Sequence, residues 1–69
     1  MIDNNMQAPQ VFLRRNSVEK KTGLSRSRIY ALMATGDFPT TIHLSVMTVV
    51  WIEAEVEEWM ARHIASRGV

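Results

Sequence analysis

Six cationic side chains fall within fifteen residues: Arg14, Arg15, Lys20, Lys21, Arg26 and Arg28, with Glu19 the single acid among them. A cluster of that density attracts a polyanion locally, although the whole chain has a net charge of only +1. The balancing charge lies further on. From Asp37 to Glu58 there are five acids (Asp37, Glu53, Glu55, Glu57 and Glu58) and no Lys or Arg. The plain alternative to a polyanion site is a solvated surface carrying both signs.

The other reactive residue types form no constellation. His43 falls in a predicted strand and His63 in a predicted helix, without ligand spacing between them, and cysteine is absent. Neither a metal site nor a disulfide is therefore expected. The cluster Glu53, Glu55, Glu57 and Glu58 opens a helix, where acidic side chains suit the macrodipole. It has no accompanying nucleophile that would make it a paired-carboxylate site. Trp51 and Trp59 resemble a base-stacking platform only in type; their positions assign them to the core. No Ser-His-Asp grouping, glycine loop or P-loop is present. We expect no enzyme, no cofactor and no small-molecule substrate.

These residues must be positioned by one small domain, since the chain has 69 residues. A domain of this size buries only about 60% of its unfolded surface, so its stability is marginal. Residues 1–10, MIDNNMQAPQ, are polar, lack the apolar region of a signal peptide and predict a disordered tail. The uncharged run TTIHLSVMTVVWI, residues 40–52, is shorter than the roughly 20 apolar residues of a membrane span and includes Thr40, Thr41, His43, Ser45 and Thr48. A membrane is not expected as a partner, and the cytoplasm is the expected location.

Val11-Phe12-Leu13 is an apolar lead-in to the domain. Asn16 with Glu19 reads as a capping box, predicting a helix from about Ser17 to Lys21 or Thr22, ended by Gly23. Ser25 caps a second helix, Arg26 to about Thr35, with Leu24 and Ile29 spaced as a hydrophobic staple. Two helices joined by Thr22-Gly23-Leu24 have the spacing of a helix-turn-helix, which other αα-hairpins share. Ile42 and Leu44 alternate with Thr41 and His43 as a half-buried strand, and Val49 to Ile52 forms a second. Ser45 to Thr48 must turn. Without Gly or Asn, a longer loop built on a type I turn is expected rather than a tight primed turn. From Glu53 or Ala54 to Ser66 the spacing of Val56, Trp59, Met60, His63 and Ile64 predicts an amphipathic helix.

This order, with TGLSRSRIYALMATGDFP, a hairpin ending in Trp51, and EAEVEEWM, resembles the AlpA-like family of phage and prophage regulators. That family is similar to small excisionases and to the DNA-binding head of MerR-type activators. The resemblance covers about Phe12 to Arg62. It implies a mainly α fold with a small β-hairpin, a MerR-like winged helix-turn-helix occupying residues 11–67. The second helix would enter the major groove of double-stranded DNA and the hairpin would be the wing. Ser25, Arg26, Ser27 and Arg28 match the start of the family's recognition helix. A helix N-terminus offers free N–H groups to phosphate, and Arg pairs with guanine O6 and N7. Arg26 is the first candidate for a base contact and Arg28 the second. Arg14, Arg15, Lys20 and Lys21 are phosphate candidates, and Tyr30 either touches the backbone or packs on the hairpin.

The wing departs from the family's pattern, which often has Gly in the turn and Arg both there and before the tryptophan. Ser45, Met47 and Val50 stand at those positions. Two expectations follow. Some of these side chains pad the core, or the exposed ones among Val46, Met47, Val49 and Val50 form a self-association surface that pairs two copies through the hairpin. The functional alternatives to a sequence-specific regulator are an interaction module on the same scaffold and an excisionase-type directionality factor.

Overall fold

The computed structural model describes residues 10–68, so the expected tail lies, apart from Gln10, outside the described residues. Within them the order is β1 (Phe12–Leu13), α1 (Arg15–Thr22), α2 (Arg26–Ala34), β2 (Ile42–Ser45), β3 (Thr48–Ile52) and α3 (Glu53–Ser66). This is the expected winged helix-turn-helix with one strand more than the sequence suggested.

The added strand is the apolar lead-in. Phe12 pairs with Ile52 and Leu13 with Trp51, both antiparallel, giving a three-stranded sheet in the order β1-β3-β2. The β-rich strand β3 is thus central. The ladder continues one step into the helix, where the Glu53 amide donates to the Val11 carbonyl at 2.8 Å. Ile52, at the N-cap of α3, has no side chain able to cap it. A backbone carbonyl from the start of the domain satisfies one of the helix's orphan amides instead.

α1 starts two residues earlier than predicted, with Arg14 at the N-cap and no side-chain cap bond. The Asn16–Glu19 box does not form. Only Arg14 separates β1 from the helix, so Asn16 is already inside the first turn, and Glu19 is taken by Arg15 Nε at 2.9 Å. The end is as expected: Gly23 has φ 78° and donates to the Glu19 carbonyl at 2.8 Å. Thr22 Oγ1 donates to Val18 O and accepts from the Leu24 amide, which shapes the turn into α2.

α2 ends one residue short of the prediction, in a Schellman arrangement. The Asp37 amide donates to Leu32 O and the Gly36 amide, at φ 79°, to Met33 O. The chain then crosses to β2 through Phe38 and Pro39. Both indoles tie this crossing down, Trp51 Nε1 donating to Pro39 O at 3.2 Å and Trp59 Nε1 to Asp37 O at 2.7 Å. Phe38 meets Trp59 edge to face with centroids 4.9 Å apart.

The hairpin is tighter than expected. Ser45 pairs with Thr48, leaving only Val46 and Met47 to turn. No non-glycine residue among those described has positive φ, so the turn is not a primed one, as predicted. An unprimed two-residue turn opposes the twist of the strands. The register slips between His43 and Ser45, which accommodates the mismatch and spoils the predicted alternation: Ile42 is half-buried, but Leu44 is 53% exposed.

Val18, Ile29, Phe38, Trp51 and Val56 form the buried cluster, drawn from α1, α2, the crossing, β3 and α3. Leu24, on the staple position before α2, packs against it half-buried. Val56, Trp59 and Met60 face this core as predicted, whereas His63 and Ile64 are exposed because α3 runs past the end of the domain. His63 instead lies against Trp59, with ring centroids 4.0 Å apart.

Candidate nucleic-acid interface

The first turn of α2 is built from Ser25 outward. Ser25 Oγ accepts the Arg28 amide at 3.1 Å, so the helix begins at a fixed residue. Arg26, Ser27 and Arg28 follow on that turn, all exposed. Ile29, fully buried, presses the opposite face into the core. The helix is therefore held from behind and open in front.

No acid lies in this first turn. Among the described residues neither Arg26 nor Arg28 is part of an ion pair. The acids of α3 are directed elsewhere. Glu53 and Glu57 meet Lys21, the former at 3.5 Å, and Glu58 meets Arg62 at 3.4 Å. The first turn of α2 thus exposes two guanidinium groups, a hydroxyl and unsatisfied backbone amides, with Arg26 and Ser27 on its outer face and Arg28 at the margin, which is the chemistry of phosphate and base-edge recognition.

The four phosphate candidates of α1 divide into two kinds. Lys20 is exposed at the end of the helix and Arg14 exposed at its start, neither of them ion-paired among the described residues. Arg15 is held by Glu19. Lys21 lies between Glu57 and Glu53, and its ammonium is held above its ordinary pKa, chiefly by the hydrogen bond to Glu57, with the attraction of both carboxylates adding to it and partial burial opposing. Lys21 therefore fastens α1 to α3. The Arg15–Glu19 pair was legible as an i,i+4 spacing; the Lys21–Glu57 contact joins distant segments, and no local signal reports it.

Tyr30 takes the second of the positions considered for it, packed on the hairpin. Its ring meets Trp51 edge-on at 6.2 Å, yet it remains 39% exposed. It lines a cleft with Arg14, Arg15, Asn16, Met47 and Val49, which places the hairpin turn beside the cations at the start of α1. Asn16, read in the sequence only as a cap, is an additional polar group there.

The hairpin residues separate sharply. Val46 and Met47 are 92% and 87% exposed, Val49 is half-buried, and Val50 is 2% exposed. Val50 belongs to the core and cannot contribute to a self-association surface. It points inward because its partner across the ladder, Ile42, does the same. The apolar area left outside is the turn itself, with Leu44 beside it.

No group of three or more metal-ligating side chains occurs among the described residues, and no helix among them is long and apolar enough to cross a membrane. A groove between the α2–β2 crossing and α3 is walled by Phe38, Trp59, Glu55, Glu58 and Arg62 and lies apart from the α2 cations.

Residues 11–64 match the family described as Prophage CP4-57 regulatory protein (AlpA). Two relatives are similar over most of the chain. "Uncharacterized protein ORF88" of Enterobacteria phage P4 is 46% identical over 56 residues, 81% of this chain and 64% of the relative, so the match spans a little under two thirds of that protein. "DNA-binding transcriptional activator AlpA" of Escherichia coli (strain K12) is 37% identical over 65 residues, 86% of this chain and 91% of the relative.

Proposed function

The chain belongs to the AlpA family of prophage regulatory proteins, and on that premise we propose that it binds a specific sequence of double-stranded DNA and regulates transcription from it. α2 enters the major groove. Arg26 reads a base edge, Arg28 follows one helical step behind it, and the free amides at the helix start rest on a phosphate. Arg14 and Lys20 hold the flanking backbone and set the register without reading sequence. The cytoplasm, where the DNA lies, is its place of work.

The observation that carries this reading is that Arg26 and Arg28 make no ion pair among the described residues. Exposed guanidinium groups on a buried-backed, serine-capped helix, with every α3 carboxylate that makes an ion pair turned to Lys21 or Arg62, are poised for an external anion. The name of the K12 relative supports the same direction.

Selection of bound sites from random duplex DNA, followed by titration at two salt concentrations, tests it. We expect a single enriched motif and a log–log salt slope of about −0.9 for each phosphate neutralised. Binding without sequence preference, or none at all, overturns the reading.

A further inference from the structure

We propose that the hairpin tip, Val46 and Met47, is an apolar wedge that enters the minor groove next to the recognition helix and bends the duplex by partly unstacking one base step. The inference rests on the DNA-binding reading above and adds to it a contact of a different chemical kind.

Position is the first argument. Tyr30 lies four residues after Arg26 on α2, hence on the same helical face one turn along. It shares a cleft wall with Met47 and Arg14. Moving across the surface from Arg26, one therefore meets Tyr30 and then the hairpin turn. A duplex seated on α2 and gripped by Arg14 passes beside Val46 and Met47.

Chemistry is the second. Between Arg28 and Arg62 the chain has no Lys or Arg, so this hairpin cannot grip phosphate as a basic wing does. An apolar side chain gains nothing against a phosphodiester oxygen. Against the faces of partly unstacked bases it gains what any apolar burial gains, and Met is among the side chains suited to such wedging.

Area is the third, and it favours a base step over a second copy of the chain. A stable interface needs about 800 Å² from each partner. With Val50 in the core and Val49 half-buried, two turn residues and a half-exposed Leu44 fall well short of that. The shape is a point, not a face. It is also a braced point: only two residues turn, Ser45 pairs directly with Thr48, and the strand behind is anchored by Val50 and Trp51. Pyrimidine–purine steps unstack most easily, so the selected motif should contain one beside the segment read by α2.

The test uses the duplex selected by the parent chain, labelled for energy transfer at its ends, with 2-aminopurine placed at the pyrimidine–purine step. We expect the parent to bend this duplex and brighten the probe. The double variant Val46→Ser, Met47→Ser, checked for folding by circular dichroism, should bind the same motif about tenfold more weakly with both signals lost. Met47→Lys should regain affinity with a salt slope steeper by about one phosphate contact, still without the full bend. If the double variant bends the duplex as the parent does, the wedge is overturned while sequence-specific binding stands. The wedge is equally overturned if the substitutions only dissolve a parent oligomer in sedimentation, since the tip is then a protein contact. A parent that selects no motif removes the DNA reading and the wedge together.

Discussion

The amide of Arg28 donates to Ser25 Oγ at 3.1 Å, so the residue that begins α2 also fixes where one of its two guanidinium groups leaves the helix. Ser25→Ala should cost about 1 kcal/mol, which lowers the melting temperature of a domain this small by roughly 4–8 °C. Ser25→Asp should keep the cap and the melting temperature but weaken DNA binding, because a carboxylate then faces the phosphate. Thermal unfolding of both variants beside a binding titration separates the two effects. Equal binding by the aspartate variant would remove the helix start from the interface.

Arg26 and Lys20 should fail in different ways. Arg26→Ala should reduce discrimination between the selected site and single-base variants by about 1–3 kcal/mol at one position. Lys20→Ala should weaken all sequences alike and shallow the salt slope by about 0.9. Competition titrations with a panel of duplexes read both. Identical profiles for the two variants would contradict the division between reading and positioning.

The Lys21 pair has a defined pH signature. Its folded-state pKa lies above the ordinary 10.5, raised chiefly by the hydrogen bond to Glu57. Its contribution to stability is therefore fully present below 10.5 and is lost as pH rises through the folded value. Denaturant unfolding should show Lys21→Gln less stable than the parent near neutrality, with the gap closing in strongly alkaline solution. A gap that stays constant across that range would mean that Lys21 acts through packing of its methylenes. In DNA titrations the same variant should matter less than Lys20→Ala, since its charge is already engaged.

Ile29 lies fully buried behind the recognition surface. Ile29→Ala should cost about 2–5 kcal/mol, enough to leave much of so small a domain unfolded at room temperature. Loss of the near-ultraviolet signal of Trp51, which shares its core cluster, is the readout. A cooperative transition within a degree or two of the parent would show that α2 is not supported from beneath.

The parts of the molecule specified by local chemistry were legible in the sequence. Ser25 had the right type and position for a cap, Gly23 and Gly36 supplied helix stops, and α3 carried its periodicity from Val56 to Met60. What escaped was set by partners distant in the chain or by competition between local options. Phe12 and Leu13 are too short a run to read as a strand until Trp51 and Ile52 lie beside them. Asn16 has cap chemistry, but β1 delivers the chain into the helix before Asn16 can use it. Leu44 alternates correctly on paper, but the register slips between His43 and Ser45 and leaves both His43 and Leu44 exposed. For the candidate interface, six cations were visible, but two of them, Arg15 and Lys21, are neutralised by carboxylates. Only Arg15 has its partner at a spacing that sequence can reveal.

Phe12 pairs with Ile52 across forty intervening steps of chain, and the Glu53 amide closes on Val11. The sheet can therefore be completed only after β3 has left the ribosome. A nascent chain ending before β3 lacks the strand that covers α1 and α2, each too short to be stable alone. Assembly is accordingly gated by synthesis, and trimming through Val11 would loosen the start of the third helix, whose first amide loses its acceptor.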